Sequence, residues 1–80
     1  MNINESFLEY SIKNNRAISI IYIKNGIITR NNMKIHKIDH EKHIFTASKP
    51  GQKKENDYAL NDILSASYAR GDKGEIEDKI

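Results

Sequence analysis

The segment from Ile18 to Arg30 constrains the fold more than any other stretch of this 80-residue chain. Two runs of mainly apolar and β-branched residues flank the dipeptide Asn25-Gly26. Asn-Gly readily adopts the positive φ angles of a type I′ turn, whose twist matches that of two paired antiparallel strands. The sequence therefore predicts a β-hairpin, with a first strand over 17–24 and a second strand that begins at Ile27.

The first strand of this hairpin is apolar on both faces, because Ile18, Ile20 and Tyr22 alternate with Ile21 and Ile23. Such a strand is expected in the middle of a sheet, covered on both sides. We expect one face to line the core and the other to meet an N-terminal helix. Since neither face is then left for a ligand, we assign the hairpin to folding and expect the binding residues after it.

The N-terminal segment predicts a helix that ends near Asn14. Asn2 and Glu5 have the spacing of a capping box, in which each side chain satisfies the backbone donor of the other residue. Apolar residues recur at helical spacing and form one stripe, with Ser11 as a small neighbour. The stripe contains Ile3, Phe7, Leu8 and Ile12.

Turn-forming residues divide the rest of the chain into short strands. We expect the second strand to reach residue 38, with a bulge or a bend at Asn31-Asn32. A turn over 39–42, a strand over 43–48 and an exposed polar loop over 50–57 follow.

Tyr58 then begins a short strand and one helical turn, before a last strand over 64–68. The pattern predicts a mainly β fold with one N-terminal helix, in which about five short strands form a small β-barrel or a strongly bent sheet. We assign residues 1–69 to this single domain and residues 70–80 to a flexible charged tail.

Several classes of protein are disfavoured by the composition. The chain has no Cys, which excludes disulfides, thiolate metal sites and Cys nucleophiles. Its longest apolar run is far below the roughly 20 residues of a membrane helix, and its N-terminus lacks the pattern of a secretory signal. We therefore expect a cytoplasmic protein with no membrane partner.

The sequence also contains no catalytic or cofactor motif. Glu55, Asp57 and Asp62 fit turn and capping roles, and Ser65 and Ser67 lack the pattern of a nucleophile elbow. We predict a protein that is not an enzyme and that uses no cofactor.

Basic residues are concentrated after the hairpin. The net charge is only +2, but residues 30–54 contain seven Lys or Arg and two acidic residues. Basic side chains attract phosphates by releasing counterions. The candidates for binding nucleic acid or another anion are Arg30, Lys34, Lys37, Lys49, Lys53 and Lys54. The alternative is the ordinary solvated surface of a mildly basic protein.

Aromatic residues provide a second set of candidates. Tyr22, Phe45 or Tyr68 would stack bases if exposed, as the aromatic side chains of small barrels do with single strands. Tyr22, Phe45 and Tyr58 would instead line a cavity for a small ligand. The alternative is that these rings belong to the core.

Three histidines, His36, His40 and His43, lie near Asp39 and suggest a metal site. A turn centred on residues 40 and 41 would place residue 38 opposite residue 43, with His36 diagonally across. Structural zinc requires four tight ligands, and the chain has no Cys. We therefore predict solvent-facing histidines and no metal.

Four segments follow the predicted helix in a characteristic order. They are Arg16-Ala-Ile-Ser-Ile-Ile-Tyr-Ile, Asn-Gly-Ile-Ile-Thr-Arg30, His43-Ile-Phe-Thr-Ala47 and Tyr58-Ala-Leu-Asn-Asp-Ile-Leu64. This order resembles the WYL domain family over residues 6–69, and it also resembles the YolD-like small proteins of Firmicutes and their phages. WYL domains are bacterial ligand- or nucleic-acid-sensing modules, usually attached to a winged helix-turn-helix. The resemblance implies an Sm-like (SH3-like) barrel. Because His43-Ile44-Phe45 stands where the family has Trp-Tyr-Leu, it implies the barrel rather than the family's ligand pocket.

Our first hypothesis is a non-enzymatic binding module of a bacterium or phage that acts in regulation. It would contact nucleic acid, or a nucleic-acid-handling protein, through the basic residues. The second hypothesis is a protein-interaction module, either a phage-encoded antagonist of a host regulatory protein or a subunit that forms homo-oligomers. A third is a small-molecule sensor with a cavity lined by Tyr22, Phe45 and Tyr58.

Overall fold

The computed structural model describes residues 3–72. Helix α1 (Ile3–Asn14) precedes the five strands of one antiparallel sheet in the order β4-β3-β2-β1-β5. A short 3₁₀ helix, Leu60–Asp62, connects β4 to β5. The strands are β1 (Ala17–Lys24), β2 (Ile27–Asp39), β3 (Ile44–Ser48), β4 (Asn56–Ala59) and β5 (Ile63–Tyr68). The predicted mainly β class with one N-terminal helix is confirmed, whereas the expected cap Asn2 lies outside the described residues.

The sheet is strongly bent, because its two edge strands are consecutive in the chain. A flat sheet of five strands would separate β4 from β5 by about 19 Å. The step from Ala59 to Ile63 spans at most about 14 Å even when fully extended. The strand ladders of residues 3–72 contain no pair between β4 and β5, so the closed barrel stays a prediction.

The hairpin of β1 and β2 has the turn that the sequence predicts. Asn25 and Gly26 have φ angles of 54° and 78°, as both central residues of a type I′ turn require. The β1–β2 register is unbroken, so the bulge predicted at Asn31-Asn32 is wrong. Asn31 fits a regular strand because its Nδ2 donates a hydrogen bond to the hydroxyl of Tyr22 at 2.9 Å. The irregularity lies between β2 and β3 instead, where the register shifts between residues 35 and 37.

The core lies on the inner face of the bent sheet. Ile18, Ile20 and Met33 are fully buried there, together with Leu8 of α1. The helix therefore packs on the same face of β1 as the rest of the core. The expectation that it would cover the opposite face is wrong, since Ile23 on that face remains 38% exposed.

Ser11 links α1 to the sheet through two hydrogen bonds. Its Oγ accepts from the backbone N–H of Ile35 at 2.9 Å and donates to the carbonyl of Arg16 at 2.5 Å. Ile35 lies one residue beyond the pair Ala17–Lys34, where β1 begins, so β1 does not extend to its N–H. Ser11, which is fully buried, takes the place of that strand.

Asp72 ties the end of the described chain to α1. Its carboxylate accepts hydrogen bonds from the Tyr10 hydroxyl at 3.0 and 3.1 Å and pairs with Arg16 at 3.3 Å. Asp72 falls within the predicted tail, yet it contacts the domain. The rest of that tail, residues 73–80, lies outside the described residues.

Candidate ligand-binding pocket

The two ends of the inner face are covered differently. At one end Tyr68, opposite Ile18 in the β1–β5 pair, contacts the rings of Phe7 and Tyr10 on α1. At the other end, the inner face contains Tyr22 on β1 and the pair Phe45–Tyr58 on β3 and β4. The helix thus closes one end of the bent sheet, and aromatic side chains line the other.

Tyr22, Phe45 and Tyr58 form one cluster. The rings of Phe45 and Tyr58 are stacked with centroids 5.3 Å apart, and Tyr22 meets Tyr58 edge to face at 5.6 Å. In a flat sheet β1 and β4 would lie about 14 Å apart, so the curvature of the sheet produces this contact. Tyr22 and Phe45 are buried, whereas Tyr58 is half-buried.

A pocket of about 570 Å³ opens above this cluster. Its size falls within the range of roughly 300–1,000 Å³ that is typical of small-molecule sites. The residues that line it come from the hairpin, from β3 and the loop after it, and from β4 and the 3₁₀ helix. They are Tyr22, Ile23, Lys24, Asn25, Phe45, Lys49, Gln52, Lys54, Asn56, Asp57, Tyr58, Ala59 and Asp62.

A tight turn and a backbone contact position the rim of the pocket. Gly51 has a φ of 78°, and the N–H of Gln52 donates to the carbonyl of Lys49 at 3.0 Å. With Pro50 before the glycine, this is the pattern of a type II turn, and it places Lys49 and Gln52 beside each other. The N–H of Leu60 donates to the carbonyl of His43 at 2.8 Å and fixes the start of the 3₁₀ helix that carries Asp62.

The rim contains charges of both signs. Lys24, Lys49 and Lys54 are the cations, and Asp57 and Asp62 are the anions. Among residues 3–72, no ion pair joins these lysines to these aspartates. The charges therefore remain available to a ligand that has both anionic groups and hydrogen-bond donors.

The two rim aspartates differ in their hydrogen bonds. Asp57 Oδ1 accepts from the hydroxyl of Thr46 at 2.7 Å, across the β3–β4 pair. Asp62 lies in the 3₁₀ helix, is exposed, and accepts no side-chain hydrogen bond from the described part of the chain. Both carboxylate oxygens of Asp62 can therefore accept hydrogen bonds from a ligand.

Burial raises the pKa of the Tyr58 hydroxyl above its usual value, and the nearby Tyr22 raises it further. A hydrogen bond with Asn56 opposes this shift of the pKa in part. The phenol therefore stays protonated at neutral pH, so the pocket has a neutral aromatic wall.

The predicted basic residues divide between two regions. Lys49 and Lys54 line the pocket, and Lys53 is exposed between them in the chain. The others lie on the outer face of β2, because each pairs with an outward-facing residue of a neighbouring strand. These three are Arg30, Lys34 and Lys37. The structure thus does not unite the six basic residues in one surface.

The histidine region differs from the expected hairpin. Asp39 Oδ1 accepts from the N–H groups of Glu41 and Lys42, and His43 ends the turn with a φ of 57°. Ile38 consequently pairs with Phe45 rather than with His43, so the predicted register is wrong. His36 Nε2 instead lies 2.8 Å from Ser48 Oγ. Within residues 3–72, no group of three or more His, Asp or Glu is placed to hold a metal ion.

Lys24, Asn25 and Asp62 line the pocket but are not predicted as pocket residues from the sequence. The hairpin is predicted to serve folding alone, but its tip also forms part of the pocket rim. No local pattern indicated this, since the hairpin tip and the 3₁₀ helix are brought together by the non-local pairing of β1 with β5, in which Tyr22 lies opposite Ile63. The Pro50-Gly51 dipeptide did identify the loop that carries Lys49 and Lys54.

No family model, curated protein or solved structure matches this chain. Neither helix among residues 3–72 is long and apolar enough to cross a membrane.

Proposed function

We propose that this protein is a non-enzymatic module that binds single-stranded nucleic acid in the pocket at the open end of its sheet. The observation that carries the proposal is that the half-buried Tyr58 lines one pocket together with Lys49 and Lys54. A base would stack against Tyr58, and the lysines would contact the flanking phosphates. A role in bacterial or phage regulation rests on the resemblance to WYL domains and YolD-like proteins.

Mixed-sequence 12-nucleotide RNA and DNA strands, measured by fluorescence anisotropy over a series of salt concentrations, test this proposal. We expect binding to weaken as salt is raised, with a slope of about −0.7 for each phosphate contacted. Replacing Lys49 and Lys54 with Ala should make this slope shallower by about 1.4. Replacing Lys34 and Lys37 removes the same charge from the outer face and should leave the slope almost unchanged.

A stacking contact is tested separately by Tyr58→Leu, which keeps an apolar side chain against Phe45. We expect the affinity to fall roughly five- to hundredfold, the usual range for loss of one base–aromatic stack. Circular dichroism of the variant checks that the sheet is intact. Absence of binding to either strand at low salt, or equal effects of the two double-lysine variants, would overturn the proposal.

Exposed apolar residues near the hairpin tip favour a second candidate function, a protein-interaction module. Ile27 and Ile28 are 65% and 67% exposed, and Leu64 of β5 is 48% exposed. Ile28 faces the same side of the sheet as Ile23, its partner across the hairpin. The exposed cross-strand pair of Ile23 and Ile28 is an apolar surface of the kind that marks protein contacts, including those of homo-oligomers.

This candidate predicts an association that survives high salt and requires the isoleucines. Sedimentation of the pure protein shows self-association, and capture from nuclease-treated bacterial lysate shows a different partner. The double variant Ile27→Thr/Ile28→Thr should abolish either association. If neither association is seen, or if both are unchanged in the variant, the apolar tip is not a protein contact.

A further inference from the structure

We propose that the pocket selects for guanine among the four bases, with Asp62 as the residue that recognises it. The inference rests on the proposed function, because it names the nucleotide that the pocket of Tyr58, Lys49 and Lys54 would hold. It starts from the anions on the rim, which a site built only to attract phosphates would not contain.

The chemistry of the carboxylate decides which base fits. An ionised Asp offers two acceptor oxygens and no donor. The Watson–Crick edge of guanine places two donors, N1–H and one N2–H, side by side, so a carboxylate can accept both. Adenine and cytosine each place a ring-nitrogen acceptor beside their amino donor, and uracil has one N–H between two carbonyls. Each of these other bases would leave one carboxylate oxygen facing an acceptor.

The hydrogen bonds of the rim favour Asp62 over Asp57 for this role. Asp57 Oδ1 already accepts from Thr46 at 2.7 Å. Asp62 is exposed at the pocket and accepts no side-chain hydrogen bond within residues 3–72. The 3₁₀ helix that carries Asp62 is fixed at its first residue by the contact between Leu60 and His43. A base stacked on Tyr58 would then face the two carboxylate oxygens of Asp62, whose backbone is held in place by this hydrogen bond.

The lysines determine where the rest of the nucleotide lies. Lys24 and Lys49 line the same pocket as Asp62. In the described part of the chain, neither lysine forms an ion pair with Asp62. Their charge favours the phosphates and offsets the repulsion between Asp62 and the anionic strand. In the pocket the lysines therefore attract the phosphates of the nucleic acid, and Asp62 selects the base by its Watson–Crick edge.

RNA pentamers of the form UUNUU test the inference, with N as guanine, inosine, adenine, cytosine or uracil. We expect the guanine pentamer to bind at least about fivefold more tightly than the uracil pentamer, as one good bidentate base contact provides. Inosine keeps N1–H but lacks the N2 amino group, so its pentamer should have an intermediate affinity.

The variant Asp62→Asn should lose the preference for guanine while still binding the uracil pentamer. Its amide presents one acceptor beside one donor, a pattern that the Watson–Crick edge of every base can meet, so this contact should no longer favour one base over the others. Glu41→Gln makes the same change of charge in the turn between β2 and β3 and should keep the preference for guanine.

The outcomes separate the two proposals. If no pentamer binds, the proposed function itself fails. If all five pentamers bind equally, the proposed function stands and the guanine inference is overturned. A guanine preference that persists unchanged in Asp62→Asn also overturns the inference, because another group must then recognise the base.

Discussion

Ser11 supplies a hydrogen bond that the sheet cannot make for itself. Its Oγ accepts from the buried N–H of Ile35, which lies beyond the start of β1. The variant Ser11→Ala removes this acceptor, so we expect the free energy of unfolding to fall by about 1–3 kcal/mol. Chemical denaturation monitored by circular dichroism measures the change.

Ser6→Ala is the matched control, because Ser6 is exposed on the same helix. It should leave stability within about 0.5 kcal/mol of the wild type. Equal effects of the two substitutions would contradict the role assigned to the Ser11 hydroxyl and would point to helix propensity instead.

Single residues were predictable from the sequence only where their role is local. Helical spacing identified Leu8 as a core residue, and it is fully buried. The same spacing marked Ser11 only as a small neighbour, because its partner Ile35 is 24 residues away. Asp62 appeared to be a capping residue for the same reason, since the pocket that it lines is assembled from distant segments.

The β1–β2 hairpin depends on the backbone conformation of its turn. Gly26 has a φ of 78°, and a Cβ added there would have no heavy atom within 4 Å. Gly26→Ala should therefore lower the free energy of unfolding by about 1–2 kcal/mol through backbone strain alone. Gly26→Asn should lower it less, because Asn tolerates the left-handed region. Urea denaturation of both variants checks this order, and an equal loss would exclude backbone strain as the cause.

The hairpin could be predicted because Asn25-Gly26 encodes its own conformation. The register between β2 and β3 could not be predicted, because it depends on contacts between strands. Asn31 is held in a regular strand by Tyr22, and the shift near residue 36 accompanies the contact of His36 with Ser48. Neither contact has a local sequence pattern.

At the scale of the whole molecule, burial on the inner face provides the main stabilisation. Ile20 is fully buried in the core, whereas Ile28 on the outer face is 67% exposed. Ile20→Ala should destabilise the protein by about 2–5 kcal/mol, and Ile28→Ala by no more than about 0.5 kcal/mol. Thermal and chemical unfolding of the two variants tests this contrast. Similar losses would mean that Ile28 is covered in solution, as in a self-associated state.

The C-terminal end of the described chain is joined to the residue before β1 by the ion pair of Arg16 and Asp72, whose side chains are 27% and 13% exposed. Because the pair is partly solvated, we expect a coupling free energy of only about 0.2–1 kcal/mol. A double-mutant cycle with Arg16→Gln and Asp72→Asn measures this coupling. The coupling should shrink at 1 M salt, and a value that does not change with salt would contradict an ionic origin.

Composition and turn spacing were sufficient to predict the class of the whole molecule. They were not sufficient to predict which surfaces meet. The alternation of polar and apolar residues along a strand shows which face each side chain is on, but not which other segment that face contacts. Tyr22 and Tyr58 come together through the bending of the sheet, whereas Arg30 lies on the outer face of β2 and Lys54 lines the pocket. A charge count along the chain therefore suggested one basic face where the structure has two regions.

The central position of β1 also sets an order of assembly. Ile18 pairs with Met33 across a local hairpin and with Tyr68 across a loop of about 50 residues, whose closure costs more conformational entropy. The hairpin can therefore form early, while β5 joins late and by contacts that are non-local in sequence. The same asymmetry operates in the native state, where β5 can open while the hairpin stays paired. Amide protons of β5 should then exchange with solvent through partial opening, and those between β1 and β2 only through global unfolding.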